Sequence, residues 1–297
     1  MILANADTIK VGFSDAISVY SADDLIYEIA ADTSFLTYES AGGGNLRVSG
    51  VSGGTLKGYL TIPSTHNSSP VTAIGNSVFS NDDLISGVTI PTSITYIGSR
   101  AFELCDGINR MVLHDGITYI DFSAFSNCTN ITSINLPSGL ILMNESLFSG
   151  CTNLRNITIP SGVTAIGSAV FNNCRNLSSI VIPSLVTSIG NSAFNTCTSL
   201  TSVVIPNSVT VIGFDLFNGC TSLTEATIGS GVTEIKDRTF LNCTSLSTIN
   251  CLATSAPNLT DGSAFSNVAA TEIHVPTSAS ASYGSTYGGL DVVADLS

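Results

Sequence analysis

Phenylalanine recurs every 23 residues at Phe79, Phe102, Phe125, Phe148, Phe171, Phe194, Phe217 and Phe240. Cysteine follows three places behind the last seven of them, at Cys105, Cys128, Cys151, Cys174, Cys197, Cys220 and Cys243. The spacing does not drift. A fixed period of this length marks a solenoid, in which each repeat buries its apolar face only against its neighbours. The period therefore constrains the fold more than the length does. A chain of 297 residues would suggest about two domains, but one solenoid can absorb it all. Solenoids offer surfaces rather than clefts, so the period also directs the search for function.

One repeat shows how the unit must fold. In Phe171–Ala193 the residues Leu177, Ile180 and Ile182 have the spacing LxxIxI. The alternation of Ile180 and Ile182 is that of a half-buried strand. Pro183 has no N–H and ends ladder pairing. Val186 and Ile189 point inward on the return path, and Gly190 permits a tight or left-handed backbone. Twenty-three residues leave no room for a long helix. The expected unit has a short strand on one face and a short 3-10 or helical turn on the other. Columns hold across repeats. The sixth position after each phenylalanine is always Ile or Leu, and the eleventh is aliphatic until Cys251 takes it. The cysteines accordingly read as reduced core thiols, because free cysteine behaves as a small buried hydrophobe. No CxxC pair exists and the three histidines are far apart, so no metal site or cofactor is expected.

Charge narrows the partners. Only 10% of residues are charged and the net charge is −13. The nine basic residues are scattered and form no stripe, which argues against nucleic acid. No run of 18 apolar residues could span a membrane, and the start shows no charged leader followed by an apolar stretch. Between Ser146 and Phe214 there is no acidic residue, and Arg155 and Arg175 alone carry charge. A partner met there is recognised by neutral hydrogen bonding and shape.

The segment IPNSVTVIGFDLFNGCTSLTEA at Ile205–Ala226 resembles the BspA-like class of leucine-rich repeats, and eight repeats carry the same pattern. The resemblance implies a right-handed, β-rich superhelix with parallel strands on one face, capped at both ends. It departs from the better known leucine-rich repeat in lacking an asparagine ladder after the strand. The expected division is an N-cap and irregular first rung over 35–78, regular rungs over 79–262, and a C-cap over 263–297 that is closed by Tyr283 and Tyr287. Residues 1–34 lie outside the period. The stretch IKVGFSDAISVYSADDLIYEI looks like a segment of phage structural proteins. That likeness implies an attachment element bearing Val11, Val19, Tyr20, Leu25 and Tyr27, through which the chain would join other virion or surface proteins. The expected setting is a non-enzymatic virion component, such as a tail fibre or capsid decoration, with a bacterial cell-surface adhesin as the alternative.

No nucleophile elbow, P-loop, dinucleotide or HExxH pattern occurs, so an enzyme is not expected. Binding residues are sought on the outward strand positions and on an aromatic flank. The strand positions supply Arg110, Asn135, Asn156 and Thr158. The flank supplies Tyr96, Tyr119 and Phe122, with the two tyrosines at one repeat position on neighbouring rungs. A host-surface protein or glycan is the expected partner of this set.

Overall fold

The computed structural model describes residues 33–53 and 56–297, together with the backbone of 2–3 and 9–10. Each repeat contributes one rung of a solenoid, and two parallel strand ladders run along it. In the first ladder Gly58–Thr61, Ile85–Thr89 and Arg110–Val112 pair in parallel, as do Ser133–Asn135 with Asn156–Thr158. Ser202–Ile205, Glu225–Ile228, Thr248–Cys251, Glu272–Pro276 and Leu290–Leu296 continue it. Ile180 and Ile182 keep their inward burial, but residues 179–182 form no strand there.

The second ladder is built mostly from two-residue strands on the return path. Tyr96–Ile97 pairs with Tyr119–Ile120, and Leu142–Met143, Ala165–Ile166, Ser188–Ile189 and Val211–Ile212 form a further run. The return path is therefore itself a sheet. The turns after it also differ from the expectation of 3-10 or helical geometry. Among the described residues, helical segments occur only at the ends, at Thr33–Phe35, Thr277–Ala279 and Ser280–Tyr283. In the regular rungs the residues two before and two after each column phenylalanine have positive φ, for example Arg100 (56°) and Leu104 (60°), or Ala169 (55°) and Asn173 (60°). This flips alternate peptide groups. The N–H groups of Arg100, Phe102 and Leu104 then point along the axis to the carbonyls of Phe122, Ala124 and Ser126 on the next rung. A helical turn would have kept those donors within the rung.

The core runs along the axis. Phe79 to Phe265 form an unbroken stack with ring centroids 5.1–5.9 Å apart and interplanar angles of 5–18°. The thiols do more than fill space. Each column cysteine donates Sγ–H to the carbonyl of the phenylalanine one rung back, from Cys105 to Phe79 O at 2.9 Å through Cys243 to Phe217 O at 3.1 Å. All eight cysteines are free and buried. Burial pushes Cys105, Cys151, Cys197 and Cys243 up to about 12.

Gly190 does not have the left-handed backbone its sequence position suggested. A Cβ there would lie 2.4 Å from the Ser168 nitrogen and 2.7 Å from the Gly167 carbonyl carbon, so glycine at this rung permits the close approach to its neighbour. Asp121, Asn144 and Lys236 occupy this column elsewhere. The second ladder holds at Asp121, where Tyr119–Ile120 still pairs with Tyr96–Ile97, but lapses at the other two, before Leu142–Met143 and before Glu234–Ile235. At the first lapse the Asn144 Nδ2 donates to Ile120 O at 2.6 Å.

The ends are closed differently. Leu36–Gly42 and Asn45–Val51 form an antiparallel hairpin, whose second strand joins Ser69–Ile74 in parallel. At the other end Tyr287 meets Phe265 at 57° and ends the ring stack. Its hydroxyl donates to Pro257 O at 2.7 Å, and that of Tyr283 to Ala253 O at 2.9 Å.

Candidate functional site

The low charge has a structural cause. Equivalent side chains on neighbouring rungs stack in register, and like charges placed opposite each other across strands destabilise. Neutral donor–acceptors suit such columns. Thr95, Thr118, Thr164, Thr187 and Thr210 each donate Oγ1–H to a carbonyl one rung back, at 3.3–3.5 Å. Asn195 donates likewise to Asn172 Oδ1 at 3.1 Å. Against this polar background, exposed apolar side chains stand out.

Val112, Val181 and Val204 are exposed elsewhere, whereas Tyr119, Phe122, Ile141 and Leu142 lie on neighbouring rungs of the second ladder at its first lapse. Tyr96 and Tyr119 stack with centroids 5.6 Å apart and planes 3° apart. The Tyr96 hydroxyl donates to Asp121 Oδ2 at 2.9 Å. Partial burial and that carboxylate push it up to about 12. Tyr119 is 39% exposed and Phe122 is 44% exposed. The Arg100 guanidinium lies 5.9 Å from the Phe122 ring centroid. Leu142 continues the tyrosine column one rung on, and Ile141 replaces the column threonine beside it; they are 42% and 61% exposed. These residues form an apolar patch with Arg100, Asp121 and Glu145 at its rim. Ile141 and Leu142 were missed in the sequence. The signal was present: a threonine column read Ile once, and a tyrosine column continued as Leu.

The other candidates lie elsewhere. Asn135, Asn156 and Thr158 are exposed on the first ladder, where Asn135 pairs with Thr158 across one rung boundary. They belong to a different sheet from the aromatic flank, so the seven proposed binding residues are not one site. Arg110 sits in a first-ladder strand, and its side chain lies outside the described residues. Val11, Val19, Tyr20, Leu25 and Tyr27 also lie outside them. At the N-terminal end an open depression of about 530 Å³ is lined by Val51, Leu56, Val78, Asp82 and Asp83, among others. Burial raises the Asp82 carboxyl above its ordinary range. Among the described residues no three metal-ligating side chains come together, and no helix is long and apolar enough to cross a membrane.

Comparison with known proteins agrees with this architecture. The pneumococcal vaccine antigen PcpA is 18% identical over 82% of this chain and 68% of its own, with a TM-score of 0.56, and shares the fold. A leucine-rich cell surface protein of Faecalibacterium prausnitzii is 23% identical over 95% of this chain and 96% of its own, with a TM-score of 0.43. A leucine-rich repeat protein of T. pallidum is 21% identical over 83% and 86%, with a TM-score of 0.42. None of the curated proteins matches the chain. The model of the BspA-type leucine-rich repeat region, in six copies, matches residues 72–197 and 164–287. That span is well over half of the sequence and coincides with the stacked rungs, so the chain belongs to the BspA-type leucine-rich repeat family.

Proposed function

We propose that this protein is a non-catalytic binding protein of the bacterial cell-surface type, which holds a polypeptide partner on the apolar patch of its second ladder. The observation that carries this reading is the cluster of Tyr119, Phe122, Ile141 and Leu142, two of them aromatic and all exposed on neighbouring rungs of the second ladder. Interface hot spots favour aromatic anchors ringed by polar groups. Family membership supports the setting, since such repeats generally serve binding rather than catalysis. The same membership favours the cell surface over the virion. The likeness to phage proteins rests on residues 1–34, which precede the family match and fall almost entirely outside the described residues.

The test is selection from a random peptide library on the wild-type solenoid and on a Tyr119→Ser, Phe122→Ser, Leu142→Ser variant shown by circular dichroism to be folded. Peptides selected on the wild type should bind the variant at least tenfold more weakly. Equal affinity for both would remove the patch from the function.

A further inference from the structure

We propose that the second ladder grips an extended polypeptide segment at two points, Phe122 and Phe214, and that the segment carries a basic residue beside its first apolar anchor. This rests on the reading that the patch binds a polypeptide. Phe122 and Phe214 occupy the same position in repeats four apart. Phe214 is 39% exposed, and Val211 stands beside it as Tyr119 stands beside Phe122. Each ring is held by a cation from its own protein. Arg100 lies 5.9 Å from one centroid and the Lys236 Nζ lies 5.5 Å from the other. Two apolar contacts, each beside a cation, therefore share one repeat position on either side of the ladder's first lapse.

Most of the ground between them is neutral. Beyond the rung of Glu145 it is filled by Thr164, Ala165, Thr187, Ser188, Asn191 and Thr210, with no ionised side chain. The column threonines spend their hydroxyl hydrogens on backbone carbonyls. Their oxygens can still accept, so this strip favours a partner that presents N–H donors. Charge distinguishes the two ends. Glu145 is exposed one rung beyond Phe122 and meets no cation among the described residues. Near Phe214 the ion pairs are Arg238 on Asp215 at 2.7 Å and Lys236 on Glu234 at 2.6 Å, and Asp237, the counterpart of Glu145 there, is half-buried, accepts from the Thr260 hydroxyl and lies in the field of Arg238. An incoming Lys or Arg is thus favoured at the Phe122 end. Four rungs at strand spacing separate the anchors by about 19 Å, which an extended chain spans in about six residues.

The probe is a fluorescent eight-residue synthetic peptide that begins with lysine and phenylalanine and has a second phenylalanine six residues after the first, with serine and threonine between. A control peptide has the two phenylalanines three residues apart. Fluorescence anisotropy should show binding of the first peptide that weakens at least tenfold with either Phe122→Ala or Phe214→Ala. The control should bind at least tenfold more weakly. Glu145→Gln should lower the affinity and flatten its salt dependence. Equal binding of the two peptides, or no effect of Phe214→Ala, overturns the two-point grip. So does failure of both peptides while library-selected peptides still bind at the patch, an outcome that leaves the polypeptide-binding function standing. Failure of the library selection as well would remove both. Self-association of the wild-type chain that is abolished by Phe122→Ala would assign this face to a second copy and overturn the proposal.

Discussion

At the residue scale the column cysteine has two duties, as a core filler and as a donor to a carbonyl on the neighbouring rung. Burial keeps the thiol protonated, because the charged form is disfavoured in an apolar interior. Thiolates are the reactive species, so iodoacetamide should label the native protein hardly at all at pH 8.5 and all eight cysteines after denaturation. Rapid native labelling would contradict the buried ladder. The folded values stand at about 12 for Cys105, Cys151, Cys197 and Cys243, against an ordinary value of 9.0. The unfolded chain therefore loses protons first as pH rises. The stability tied to these groups is fully present below pH 9 and is lost between about 9 and 12, by up to about 1.4 kcal/mol per pH unit for each thiol. Urea unfolding at stepped pH reads this directly, and a flat profile from pH 9 to 11 would contradict it. The column itself was legible in the sequence. Its hydrogen bond was not, since the accepting carbonyl belongs to another rung 26 residues away. The left-handed positions were half legible. Two places after the column phenylalanine stand Asn81, Asn127, Gly150, Asn173, Gly219 and Asn242, residue types that tolerate positive φ. Leu104 fills the same slot at φ 60° and is exposed, so Leu104→Gly should stabilise the fold by about 0.5 kcal/mol, the relief of left-handed strain outweighing the added freedom of the unfolded chain. A lower melting midpoint would count against that geometry.

At the element scale the second ladder shows where sequence reading stops. Period-two alternation needs about four residues to be recognised. Strands such as Ala165–Ile166 offer only two, and become strands because the neighbouring rungs present matching partners. At Gly190 the approach of those rungs is sterically tight. Gly190→Ala forces a methyl group against the Ser168 backbone and should cost about 2–3 kcal/mol. The converse change, Asn144→Gly, removes the side chain that takes the Ile120 carbonyl and should let the ladder close across the lapse. Hydrogen exchange at residues 142–144 should then slow. Unchanged exchange would mean that something other than the Asn144 side chain holds those rungs apart.

At the scale of the whole molecule the architecture was legible because one period governs nearly all of it. The binding surface was only partly so. Tyr96, Tyr119 and Phe122 came from reading a column, whereas Asn135, Asn156 and Thr158 were grouped with them although a rung places them on another sheet. Sequence position gives the column of a residue, and only the folded rung gives its face. Periodicity also implies that one unit can be removed. Deleting residues 171–193 brings Phe148 against Phe194 with every column intact, so the shortened chain should fold with a cooperative melt. Deleting 171–190 breaks register and should not give a folded product. The binding claim meets its most direct test in hydrogen exchange of the wild-type solenoid with and without its tightest library-selected peptide. Protection should appear over residues 117–123 and 140–146, and protection confined to the first-ladder strands 133–135 and 156–158 would contradict the assignment of the binding surface.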